Sequence, residues 1–213
     1  MPSPSKIMQV RCSSVVQGST MQPRASVESP TSPAANMYDY LKGEWRTSKA
    51  IDYRLGGGRG TMDGTVHFRP ITSLLDGWHG DGDNAHTPLP ILLYTEEGTL
   101  TLEDSGGSFA AYRRYVYDCR KQIKTDVYFV DSDYDLAKLL AAVGKGDEGA
   151  VCGCLRHFHS IERGDGGDEG QGGQMRFVSD DEFECLWTVR GPSKDGHIRQ
   201  VFRRVRAGGD SEG

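Results

Sequence analysis

No stretch of the chain reaches the roughly 18 apolar residues that a membrane-spanning helix requires; the longest apolar cluster, Leu136 to Val143, is short and carries Lys138. A transmembrane segment is therefore not expected. There is no excess of basic charge either: 25 Lys and Arg stand against 30 Asp and Glu, for a formal charge of −5 and a pI near 5.7. Nucleic acid is excluded as an expected partner, because phosphate binding needs a positive footprint that survives salt screening. The five cysteines follow no secretory apolar core and read as free thiols of a reducing compartment. Nucleophile elbow, phosphate loop, metalloprotease helix and dinucleotide fingerprint are all missing. The glycine run at 56–60 precedes a strand pattern rather than a helix, so no helix dipole stands ready for phosphate.

Aromatic residues are absent from positions 1–36, which hold eight serines and a single acid, Glu28. Such a segment buries too little apolar surface to offset its ordering entropy. It reads as a disordered tail or as a Ser-rich, acid-poor organelle transit peptide, with Met37 as an alternative start. The expected organisation is a tail at 1–36, one β-barrel domain at 37–206 and a polar fringe at 207–213. The expected location is the cytoplasm, or a plastid or mitochondrion if the tail is a transit peptide.

What the middle of the chain has in abundance is alternation of period two, punctuated by glycine, the signature of antiparallel strands. From Glu44 to Arg54 the odd positions carry Trp45, Thr47, Lys49, Ile51 and Tyr53, and Met62, Gly64, Val66 and Phe68 alternate likewise after the glycine run. Residues 92–95 and 99–102 read as two short strands around a Glu96-Glu97-Gly98 turn. Further strands are expected at 109–119, 123–130, 151–161, 175–178, 182–190 and 197–205, with a helix at 135–143. Residues 72–90 read as a long loop and residues 164–173 as a flexible connector. About nine or ten strands without β-α-β alternation predict a mainly β fold: an antiparallel up-and-down, lipocalin-like barrel of about 8–10 strands with one or two short helices, since closure removes exposed edges.

The triplet Gly43-Glu44-Trp45 at the start of the first strand resembles the lipocalin signature, which implies an indole sealing the closed end of the barrel and an arginine of the last strand packed over it. Arg204, in register with Ile198 and Phe202, is the expected partner. Six phrases, LKGEWRTSKAIDY, GTVHF, LLYTEEGTLTL, AAYRRYVY, VYFVD and WTVRGPSKDGHIRQVFRR, span Leu41 to Arg204 in order. Together they resemble the uncharacterised lipocalin-like family called domain of unknown function 6314. Family members carry an arginine and a histidine after the VYFVD aspartate and a histidine before the cysteine that Cys152 matches. This chain has Asp133, Asp135 and Ala150 there, so chemistry resting on those residues is not expected of it.

Candidate site residues follow from strand faces. Arg113 shares a face with Phe109, Tyr115 and Tyr117 and so points inward, where it needs either a carboxylate such as Asp126 or Asp131, or an anionic ligand. Tyr53, Tyr115, Tyr117 and Trp187 supply an aromatic lining, and Lys194, beyond Pro192, sits at the mouth. No histidine is read as facing inward. Cys152, Cys154, His157 and His159 have zinc-type atoms, but a strand sends the cysteines and the histidines to opposite faces. The loop set His79, Asp81, Asp83 and His86 matches no calcium spacing, and no metal is expected. The expected function is retention of a small hydrophobic or anionic ligand inside the barrel. The alternatives are an enzyme of lyase or isomerase type acting on a bound hydrophobic or tetrapyrrole-like molecule, or a structural or assembly protein with a filled barrel.

Overall fold

A computed structural model describes residues 36–55, 58–75, 89–121, 124–147, 149–163, 172–190, 193 and 195–206. The order is α1 (Met37–Leu41), β1 (Gly43–Leu55), β2 (Arg59–Pro70), a 3-10 turn at Ile71–Leu74, β3 (Ile91–Leu102), β4 (Ser108–Asp118), β5 (Lys124–Phe129), α2 (Asp133–Val143), α3 (Ala150–Cys154), β6 (Arg156–Arg163), β7 (Gly172–Ser179), β8 (Glu182–Arg190) and β9 (Asp195–Arg204). The nine strands close into one barrel in sequence order, with β9 paired to β1. An odd number of strands cannot alternate in direction all the way round. One interface must therefore be parallel, and it is β6 with β7, from Ile161 opposite Gly173 to Arg163 opposite Met175. The purely antiparallel expectation is corrected at this one interface.

Two apolar clusters hold the barrel. The inner one is built on alternate strand positions, among them Trp45, Val66, Phe68, Tyr94, Tyr117, Phe183 and Phe202. The outer one lies beneath α2, α3 and the 3-10 turn, which cover Ile91, Leu93, Val116 and Tyr128 on the outward faces of β3 to β5. Residues 91–96 are accordingly buried on both faces, whereas strands facing water on one side keep strict alternation. Helix α2 begins where the Ser132 side chain accepts from the Asp135 N–H at 3.2 Å, with Asp133 and Asp135 in the positive first turn.

Four sequence expectations change. Glu96-Glu97-Gly98 is not a turn: β3 runs unbroken through it, with Gly98 opposite Gly64 of β2. These glycines mark a close approach of two backbones, since a Cβ on either would overlap a carbonyl oxygen of the facing strand. Residues 150–154 form a helical turn rather than a strand, because Ala150 and Val151 bury themselves in the outer cluster, a case of tertiary packing overriding β propensity. Gly172 and Gly173 open β7 instead of ending a connector, and a Cβ on Gly173 would lie 2.5 Å from the Trp187 ring. The long loop starts later than expected, since Ile71 and Thr72 are buried in the 3-10 turn. The tail 1–35, the loop core 76–88, the connector 164–171 and the fringe 207–213 lie outside the described residues.

One end of the barrel is sealed by α1. Its Met37, Tyr40 and Leu41 pack into the inner cluster, and the Tyr40 hydroxyl donates to the carbonyls of Ser179 at 2.8 Å and Glu182 at 3.2 Å. The helix hands over to β1 at Gly43, whose φ of +116° is strained for any residue with a Cβ. Trp45 is fully buried behind it, donating its indole N–H to the Leu41 carbonyl at 2.8 Å. The Arg204 guanidinium stands 4.1 Å from the centre of the Trp45 ring, an attraction of roughly 0.5–2 kcal/mol. It also donates to the carbonyls of Tyr40 at 2.5 Å, in the last turn of α1, and of its C-cap residue Lys42 at 2.9 Å.

Replacement of Gly98 by alanine is expected to cost about 1–3 kcal/mol of stability, the usual range for forcing extra volume into packed structure, measured by urea unfolding. A tolerated alanine would contradict the close approach of β2 and β3.

Candidate functional site

Above the sealed floor the interior changes character from aromatic to polar. Lys49 of β1 extends inward and its ammonium meets the Glu96 carboxylate of β3 at 2.5 Å, with Glu96 completely buried. Gln200 of β9, directly opposite Lys49 in register, turns its amide nitrogen toward Glu96 Oε1 at 3.0 Å, Thr47 Oγ1 at 2.9 Å and Tyr94 Oη at 3.2 Å. The Thr47 hydroxyl donates onward to the Val201 carbonyl at 3.2 Å. Both oxygens of Glu96 thus accept from a donor, as a buried carboxylate demands.

Against this cluster lies a cavity of about 50 Å³, lined by Lys49, Tyr94, Tyr115, Tyr117, Val127, Phe158, Trp187, Ile198 and Gln200. By volume it has room for about three or four water-sized groups. Tyr94 and Tyr117, at 2% and 3% exposure, form its deep wall, while Tyr115, Phe158 and Ile198 are only partly buried and mark the side nearer solvent. Tyr94 stacks on Tyr117 with centroids 5.6 Å apart, and Tyr115 on Phe158 at 5.4 Å. Burial, then the nearby Glu96 charge, lifts the Tyr94 hydroxyl well above its ordinary pKa; burial alone leads for Tyr117, and Tyr115 is pushed up to about 12. All three phenols therefore remain protonated donors at neutral pH.

Three of the residues expected to line the interior, Tyr115, Tyr117 and Trp187, meet at this cavity. Tyr53 is half-buried on the same face of β1 but lies outside the lining. Arg113 shares the inward register, opposite Glu96, yet it is solvent-exposed, and its Nη1 donates to the Tyr112 carbonyl at 2.9 Å. Neither expected carboxylate serves it: Asp126 is held by Lys121 and Ser160, and Asp131 by Arg156. The inward charge is instead Lys49, whose place on the apolar face of β1 was visible in the alternation. Glu96 was hidden by the misread turn. Phe158 was missed because β6 shifts register between Val127 and Tyr128 of its neighbour. Lys194, with Pro192, and the His79, Asp81, Asp83 and His86 set lie outside the described residues.

A second correction concerns histidine. His159 sits opposite Val127 and shares the face of Ile161, so it faces inward, its ring 4.3 Å from Phe158 and 5.9 Å from Trp187. Burial, and secondarily the neighbouring His157, lowers its pKa from the ordinary value. Cys152 and Cys154 stand on α3 rather than on a strand; Cys152 is exposed and both are free thiols.

Comparison with known proteins places this architecture. A family model described as a family of unknown function, DUF6314, matches residues 41–204. The chain belongs to DUF6314. The match covers the whole barrel from the end of α1 to Arg204, so the Trp45–Arg204 floor and the Lys49–Glu96–Gln200 cluster all fall within the DUF6314 region. No curated protein matches the chain. Solved structures similar to it include a redesigned β-barrel, at 14% identity over 79% of this chain and 95% of that one with a TM-score of 0.34. Rv2717c from M. tuberculosis is similar at 13% identity over 83% of this chain and 100% of that one, with a TM-score of 0.41. Among the described residues no helix is long and apolar enough to cross a membrane.

The depressed His159 pKa has a consequence for stability. The folded state favours neutral imidazole, so this contribution is intact above the ordinary histidine value of 6.5 and is lost as pH falls below it. Melting temperature should fall as pH drops below 6.5, and His159→Asn should flatten that part of the profile. An unchanged profile in the variant would place the acid sensitivity elsewhere.

Proposed function

We propose that the barrel retains a small molecule whose compact oxygen-bearing end enters the cavity beside Lys49 and whose flat apolar body lies against Tyr115, Phe158 and Trp187. The observation that carries this reading is the Tyr117 hydroxyl. Tyr117 is 3% exposed and lines the cavity, and among the described residues its hydroxyl has no hydrogen-bond partner. The cavity leaves this hydroxyl open to a small group, and a ligand acceptor there would give it a hydrogen bond worth about 0.5–1.5 kcal/mol. Aromatic walls around a few convergent polar groups are the usual make-up of a small-molecule site. Arg113, exposed and on the inward register near Tyr115, is suited to meet an acidic group on the outer end of such a ligand.

A filled structural barrel accounts less well for the same residues. Its most economical interior would be apolar, since replacing a buried ion pair by hydrophobic side chains is often neutral or stabilising.

Native mass spectrometry of the gently purified protein is the direct test, with a non-covalent adduct expected. Tyr117→Phe removes one oxygen and leaves the ring packing intact, so it should retain the fold and release the adduct roughly fivefold more readily, the worth of one hydrogen bond. A bare protein mass under gentle conditions, or equal retention by the variant, would count against the reading.

A further inference from the structure

The lining of the cavity is rich in hydrogen-bond donors. Lys49 uses one of its three N–H groups on Glu96. Among the described residues the hydroxyls of Tyr94, Tyr115 and Tyr117 donate to no acceptor, although Tyr94 Oη accepts from Gln200. The Gln200 amide N–H groups are already shared among Thr47, Tyr94 and Glu96. The strongest acceptor nearby, Glu96, is engaged through both oxygens and is absent from the lining. The cavity therefore offers a charged donor, Lys49, and phenol hydroxyls free to donate, while its acceptors are the uncharged phenol oxygens and the Gln200 carbonyl.

The charge is already balanced. Lys49 and Glu96 form a neutral pair, and burial keeps the three phenols uncharged. Introducing a carboxylate beside Lys49 would leave a net negative charge in a largely desolvated interior, because Glu96 already balances that ammonium. Moving an ion out of water is repaid only by a dedicated counter-charge, and the Lys49 charge is taken. The exposed cation, Arg113, is nearer solvent, where it can serve an outer group without drawing an anion to the bottom.

We infer that the deep end of this cavity selects an uncharged oxygen acceptor, of ketone, aldehyde, quinone or amide-carbonyl type, and discriminates against a carboxylate. The inference rests on the reading of the cavity as a ligand site. Its volume suits a head group of about three or four heavy atoms, such as a carbonyl with its two flanking carbons. The carbonyl oxygen has two lone pairs to receive the Tyr117 hydroxyl and a spare Lys49 N–H, and nothing on it needs an acceptor in return.

Acetophenone, benzoate and isopropylbenzene share one heavy-atom skeleton and differ in the head group: neutral acceptor, anion and hydrocarbon. Titrated calorimetrically into the full chain at neutral pH, with the Trp187 indole N–H signal in NMR reporting location, acetophenone should bind at least about tenfold tighter than either analogue. Benzoate binding as tightly as acetophenone would overturn the charge selection while leaving the ligand site standing, and equal binding by isopropylbenzene would overturn the role of the donors. If none of the three moved the Trp187 signal, both the inference and the ligand-site reading would fall. Glu96→Gln removes the balancing charge and keeps the shape, so a folded variant should turn the preference toward benzoate; unchanged preference in a folded variant would contradict the charge argument. If that variant does not fold, the wild-type series decides alone.

Discussion

The contact on which the rest of the interior depends is the buried pair of Lys49 and Glu96. The two residues sit on β1 and β3, with β2 between them, so the pair reaches over a strand to form. Gly64 and Gly98 face each other on the inward registers of β2 and β3, and neither has a side chain to stand in the way. A slip of one residue in β1 or β3 would turn one charge outward and leave its partner buried alone, at a cost of several kcal/mol. Gln200 adds β9 to the same arrangement by reaching Glu96, Thr47 and Tyr94 at once. The pair therefore fixes the register of three strands, and it also sets the polar layer against which the cavity lies.

Beneath that layer, at the floor, the structure is devoted to closure. Phe183 and Phe202 stack with centroids 4.2 Å apart, Trp45 meets Phe183 edge-on at 4.8 Å, and Arg204 bridges the indole to the end of α1. The cavity survives one layer higher because long side chains with hydroxyl tips stand there in place of interdigitating aliphatics, and their tips converge without filling the space. Floor and cavity thus answer different demands: the first is closed by packing density, the second is kept open by polar groups that gain nothing from being pressed together.

Much of the fold was legible in the sequence because alternation and glycine placement act locally. Trp45, Thr47, Lys49, Ile51 and Tyr53 announced a strand with one inward face, and the register of β9 put Arg204 beside Trp45. The errors share a cause, which is that tertiary contact decides what local chemistry leaves open. Glu96-Glu97-Gly98 has the composition of a turn and becomes mid-strand, because Gly98 meets Gly64 and Glu96 meets Lys49, both distant in sequence. Residues 150–154 have strand-like side chains and turn helical to fill the outer cluster. The parallel β6/β7 interface follows from counting strands round a closed ring, and an exact count was not available from local pattern. In the site, the tyrosines and Trp187 were readable as a face, whereas Arg113 misled because a residue on the inward register still meets solvent near the open end, and His159 was masked by the irregular pairing of β5 with β6.

On the proposed reading, the Lys49–Glu96 pair is kept for the ligand site it helps to build rather than for the stability it confers. The decisive comparison sets the wild type against the double variant Lys49→Met/Glu96→Leu, recording the free energy of unfolding in urea and the retention of a non-covalent small-molecule adduct by native mass spectrometry. Stability equal to or above that of the wild type is expected, since apolar side chains of similar size spare the desolvation of two ions, together with loss of retention. A double variant that is markedly less stable yet holds its ligand as well as the wild type would contradict it.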